Sequence, residues 1–81
     1  MTLDQLLPDQ RAEVLSIGGR GAFRRRLMEL GMVPGTPVCR SGQAPLGDPL
    51  AFRVRGAVLC LRKAEAARVT VHISAQRSAA K

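Results

Sequence analysis

Three consecutive arginines, Arg24-Arg25-Arg26, follow the glycine-rich stretch Gly18-Gly19-Arg20-Gly21 in a chain of 81 residues. Glycines before a basic run suggest anion chemistry such as phosphate binding. A Walker-type phosphate loop ends in lysine and a hydroxyl residue, and both are missing after Gly21. A dinucleotide fingerprint starting at Gly19 requires a small residue at position 24, where Arg24 stands. The arginine run is also divided by helical geometry. Successive residues rotate by about 100°, so the three cannot all face one phosphate backbone. Arg25 points to solvent and Arg24 and Arg26 lie at the two borders of the apolar side, while Arg20 and Arg24, four apart, form an exposed basic edge with Arg25. Glu29 lies three and four residues beyond Arg26 and Arg25 and neutralises part of the run.

Other chemistry finds less support. The chain has no tyrosine or tryptophan, one histidine and six carboxylates. Its serines lack the G-x-S-x-G setting of an activated nucleophile. His72, between Val71 and Ile73, falls on the solvent side of a strand. Cys39 and Cys60 are 21 positions apart with no C-x-x-C, so neither a zinc site nor a secreted disulfide scaffold is indicated. They read as small apolar thiols in a reducing compartment, although spacing alone leaves a disulfide open. No enzyme is expected, and no metal site.

The elements that position these residues are short. Thr2 and Gln5 have capping-box spacing, and Leu3, Leu6 and Leu7 lie on one side of a helical turn stopped by Pro8. Arg11 to Ile17 is a strand whose alternation slips near Val14-Leu15. Ala22 to Leu30 is a helix with Phe23, Leu27 and Leu30 as its inward stripe. Gly31 is placed as its left-handed cap. Pro34-Gly35 is a type II turn. Pro37 to Ser41 is a strand, and residues 42–49 are turn chemistry. Leu50 to Arg55 alternates strictly, Gly56 marks a hairpin, and Val58 to Arg62 returns. Glu65-Ala66-Ala67 forms a helical turn, Val69 to Ile73 the last strand, and residues 74–81 fray. Five short strands round one helix predict a small barrel or sandwich, with closure favoured because it hides both sheet edges.

The loop Pro45-Leu46-Gly47-Asp48-Pro49 is the most specific local feature. Two prolines stiffen it, and a stiff loop loses less entropy on docking. Arg26 is expected to pair with Asp48 and hold this surface in shape.

Charge and size bound the rest. Thirteen basic and six acidic residues give a net charge of +7, eleven of the thirteen being arginine. Such an excess suits an anionic partner: nucleic acid, an acidic protein surface or a membrane face. Base stacking is poorly served, because Phe23 and Phe52 are the only aromatics and both belong to core faces. At 8.7 kDa the chain makes one domain. No run is long enough to span a membrane, and Asp4 in a start without basic residues argues against a secretory signal.

Taken together, Arg26-Leu27-x-x-Leu30-Gly31-x-x-Pro34-Gly35, then Ala44-Pro45-Leu46-Gly47-Asp48-Pro49, Arg55-Gly56 with Leu59 and Leu61, and Glu65-Ala66 resemble the FeoA family. These are small cytoplasmic accessory proteins of bacterial ferrous iron transport. The likeness runs in order from Leu3 to Ile73. It implies a mainly β fold, a small SH3-like β-barrel of about five strands with one inserted α-helix and short helical turns, over residues 1–73. It implies a partner, the FeoB membrane transporter for Fe²⁺ with its cytoplasmic GTPase part, and contact with the membrane only through that partner. No cofactor is required, and divalent binding (Fe²⁺ or Zn²⁺) would be weak. The partner-binding candidates are Arg20, Arg24, Arg25, Pro45, Leu46, Gly47 and Pro49. The candidates for structural support are Arg26, Asp48, Gly31, Pro34, Gly35 and Gly56. The alternative is a basic barrel that binds nucleic acid or serves as the protein-interaction module of a metal-dependent regulator.

Overall fold

The computed structural model describes residues 1–43 and 45–75. Strand β1, Arg11–Ile17, buries Ala12, Val14 and Ile17 while Leu15 and Ser16 both face out. The slip in alternation is a β-bulge, with a register shift between Val14 and Ser16 against β5. Strands β2 (Pro37–Gln43), β3 (Leu50–Val54) and β4 (Ala57–Leu61) follow as an antiparallel meander. Strand β5, Val69–Ala75, returns beside β1. The sheet order is β4-β3-β2-β1-β5. Leu50, Phe52 and Val54 are all at most 1% exposed, so the alternation read for β3 is the core face.

Helix α1, Ala22–Glu29, fills the β1–β2 connection. Eight residues are too few for an independent helix, so α1 depends on packing. Leu27 is buried, and Phe23 and Met28 pack against the core from partly buried positions. Leu30 departs from the expected stripe and is 47% exposed. Leu30 is the C-cap residue, its N–H still donating to Arg26 O at 3.1 Å, and the chain reverses directly after it. A Schellman cap takes over. Gly31 N–H donates to Met28 O and Met32 N–H to Leu27 O, each at 3.0 Å. The reversal tucks Met32 fully into the core in place of Leu30. Gly31 has φ +99°, and a Cβ there would also lie 2.5 Å from Cδ of Arg55. The Pro34-Gly35 turn closes with Thr36 N–H donating to Val33 O at 3.0 Å.

The N-terminal segment is a 3₁₀ turn, Leu3–Gln5, whose Thr2 N–H donates to Gln5 Oε1. Leu3 and Leu6 are fully buried, but Leu7 is 63% exposed, contrary to expectation. At three residues per turn, positions 3 and 6 share a side and position 7 rotates away. The segment is held by Arg40, which is only 8% exposed and donates from Nη1 to Leu6 O at 2.8 Å.

Among the described residues β4 and β5 do not pair with each other, so the sheet is not hydrogen-bonded shut. Instead the chain's start covers β5. Val71 N–H donates to Met1 O at 2.8 Å, and Thr2 bridges Thr70. Those contacts occupy the outer edge of β5 at Thr70 and Val71. Cys39 and Cys60 are free, on β2 and β4 with β3 between them. Two strand spacings, roughly 9.5 Å, exceed the reach of a disulfide. β5 continues two residues beyond the expected Ile73, and the tail expectation for 76–81 lies outside the described residues.

Candidate functional site

Helix α2, Lys63–Ala66, is one turn long and joins the two expected contact regions. Its first turn leaves backbone N–H groups without helical partners. The residue at its N-cap is Arg62, a side chain with no acceptor atom. Asp48 supplies the missing oxygen from the loop, with Lys63 N–H donating to Oδ1 at 2.9 Å. Glu65 closes the other half of the cap, accepting from Arg62 N–H at 3.0 Å through Oε1. Its second oxygen lies 3.8 Å from Nη2 of Arg26.

The expected Arg26–Asp48 pair is therefore corrected: Arg26 pairs with Glu65, and Asp48 caps α2. The short helix stands between the two groups, its backbone N–H competing for Asp48 and its own carboxylate nearer to Arg26. Arg26 and Glu65 side chains are 58% and 34% exposed, so their pair contributes between nothing and about 1 kcal/mol. The cap is the stronger link. Asp48→Ala is expected to cost about 0.5–2 kcal/mol, and Asp48→Asn only a small part of that, because asparagine also caps. Urea midpoints of the two variants check this. An equal loss in both would restore charge as the relevant property.

The loop presents Pro45 and Leu46 outward, Leu46 being 95% exposed, while Gly47, Asp48 and Pro49 are half-buried. Gly47 makes the reversal at φ +88°. Leu46 thus stands in water at the tip of a loop pinned to α2 by Asp48.

Arg20, Arg24 and Arg25 are all exposed. Arg24 and Arg25 border an open groove of about 480 Å³ whose other walls are Gly21, Met28, Glu29 and Val33. Its floor is apolar and its rim mostly cationic. The structure adds an unforeseen fourth arginine. Arg68 places its guanidinium 5.1 Å from the centroid of Phe23, a cation–π contact. Its carbonyl accepts from Gly18 N–H at 2.6 Å, which ties the glycine loop to the start of β5. Nothing local marks Arg68, since its partner lies 45 positions earlier. Phe52 is fully buried and Phe23 lies beneath Arg68, so neither ring is open for base stacking.

Gly56 and Arg55 form the tight β3–β4 turn, with φ values of +84° and +52°. His72 is exposed opposite Glu13. No three His, Cys, Asp or Glu side chains come together among the described residues. No helix there is long and apolar enough to cross a membrane.

Comparison with known proteins decides the family. The FeoA domain model matches residues 1–73. The chain belongs to the FeoA family. A solution structure of FeoA from Chlorobium tepidum is 43% identical, covers 98% of this chain and 75% of its own, and superposes with a TM-score of 0.88. A zinc-complexed crystal structure of Stenotrophomonas maltophilia FeoA, an SH3 domain protein, is 39% identical over 88% of each chain, with a TM-score of 0.78. The mainly β fold of five antiparallel strands with one inserted helix is thus SH3-like. Among curated proteins, a fusion of Fe²⁺ transport protein A with the Fe²⁺ transporter FeoB from Porphyromonas gingivalis is 34% identical over 73 residues. That match covers 90% of this FeoA-family chain but 9% of the fusion's length.

Proposed function

We propose that this FeoA-family chain is an accessory protein of ferrous iron uptake that docks on the cytoplasmic part of a FeoB-type transporter and modulates transport. The carrying observation is the fusion, in which one polypeptide holds a segment like this chain and the transporter. Joining two modules raises their effective concentration to the millimolar range for a short flexible linker, which favours a contact between them. The site chemistry suits such a role: cations bordering an apolar-floored groove, and a stiff loop with an outward leucine. The contact residues in this reading are Arg20, Arg24 and Arg25 on α1 and its approach, with Pro45, Leu46, Gly47 and Pro49 on the loop. Arg26, Asp48, Gly31, Pro34, Gly35 and Gly56 keep that surface in shape. The chain acts by contact, on the cytoplasmic side, without catalysis or a required cofactor. Fe²⁺ is the transporter's cargo, and any Fe²⁺ or Zn²⁺ held by this chain is weakly and incidentally bound.

Charge reversal tests the surface. Arg24→Glu with Arg25→Glu is expected to weaken binding to the transporter's purified cytoplasmic part at least about tenfold, chiefly by removing electrostatic complementarity. Unchanged affinity would remove α1 from the contact. The wider reading is checked by gene deletion. Ferrous iron uptake should fall while ferric siderophore uptake stays intact, and equal loss of both would argue against it.

A further inference from the structure

The two ends of the sheet are treated differently. Residues 1 and 2 occupy the outer edge of β5 at Thr70 and Val71. The outer edge of β4 has no strand beside it among the described residues. Its backbone polarity follows from the turn. Val54 pairs with Ala57 across the two residues Arg55 and Gly56, both at positive φ, which is the type I′ pattern closed by a hydrogen-bonded pair. Hydrogen-bonded and non-bonded pairs then alternate. Ala57, Leu59 and Leu61 exchange bonds with β3, so the N–H and C=O groups of Val58 and Cys60 point away from the sheet.

This edge lacks the usual protections. The strand Ala-Val-Leu-Cys-Leu contains no charge and no proline. Val58 is 57% exposed, and Ala57 and Cys60 are exposed. Asp48 reaches only Lys63, beyond the end of the strand. Around the edge positive charge predominates, the nearest carboxylates being those of Asp48 and Glu65 at the backbone of Lys63 and Arg62. Arg53 sits across from Val58, Arg55 stands at the turn, and Arg62 and Lys63 follow the strand. All four are exposed, and no acid occurs between Leu50 and Ala64.

We propose that the β4 edge is a strand-addition site for an extended peptide segment of a partner protein, apolar at alternating positions and acidic at its flanks. Main-chain bonds to Val58 and Cys60 give the attachment, as in other edge-pairing recognition. The four cations select the flanks. The same cations disfavour a second copy, because antiparallel self-pairing centred on Leu59 brings the Arg55 turn of one chain to the Arg62–Lys63 end of the other. This site uses residues separate from those of the transporter-docking reading and does not depend on it.

The test uses the full chain and a synthetic nonapeptide, Glu-Glu-Val-Thr-Val-Thr-Val-Glu-Glu, followed by amide NMR and hydrogen exchange. Binding should slow exchange at Val58 and Cys60 at least about tenfold and leave Leu59, already bonded to β3, little changed. A peptide with lysine in place of each glutamate should bind at least about tenfold more weakly. N-methylation of the peptide's edge-facing amides should abolish the effect. Val58→Pro removes an outward donor without removing a bond to β3. If that variant folds poorly, Arg53→Glu with Arg62→Glu, both at exposed positions, should reverse the preference toward the lysine peptide. Unaltered exchange at Val58 and Cys60, or equal affinity for both peptides, overturns the proposal. So does a dimer of the free protein in which those two amides are already protected.

Discussion

Phe52→Ala is expected to destabilise the domain by about 3–5 kcal/mol. Phe52 is the largest fully buried side chain and sits mid-strand on β3, which is flanked by β4 and β2. Its neighbours on the same face, Leu50 and Val54, are equally closed to water. Removing the ring loses its transfer free energy and leaves a cavity that flanking strands can fill only in part. A domain of this length has roughly 4–12 kcal/mol in total, so the variant loses a large share of it. Urea unfolding gives the measurement. The midpoint should fall sharply with little change in slope, since the surface exposed on unfolding stays similar. An unmoved midpoint would show that the core is not centred on this ring.

Arg40→Ala should cost about 2–3 kcal/mol, through a different mechanism. The guanidinium is buried and donates to Leu6 O, 34 residues away, while Arg40 O accepts from Asp9 N–H. Truncation leaves a carbonyl without its charge-assisted donor and strips the packing of a long aliphatic stem. Arg40→Met keeps much of that stem and no longer buries a charge, so it should recover part of the loss. Amide exchange separates local from global effects. In Arg40→Ala the N-terminal segment, including the Asp9 amide, should open ahead of β3. Uniform loosening throughout the domain would show that Arg40 is not a specific anchor for that segment.

These two variants also show which residues could be read in advance. Phe52 was legible because alternation along one short strand places it inward whatever surrounds it. Arg40 shares the face of Val38, and the strand period already says so. An inward arginine is tolerated only with a partner, and the Leu6 carbonyl becomes available only after the chain has folded back. The docking candidates divide in the same way. The stiffness of Pro45–Pro49, the Gly31 cap and the Pro34-Gly35 turn follow from dihedral preferences of the residues themselves. The partners of Arg26 and Asp48 do not, because a one-turn helix intervenes between them. The role of Arg68 is hidden in the sequence for the same reason, its aromatic partner being on a distant element.

The amino-acid sequence by itself determined the five strands, the helix, the bulge in β1, the turn residues and the excess of positive charge. Each depends on neighbours within a few positions, where sterics and periodicity act on the chain directly. Tertiary structure decided that Leu7 and Leu30 stay in water, that Glu65 rather than Asp48 meets Arg26, and that β5 is covered while β4 is left open. Those outcomes depend on which groups compete for the same hydrogen bond or the same buried space. That competition begins only when segments far apart in the chain are brought together.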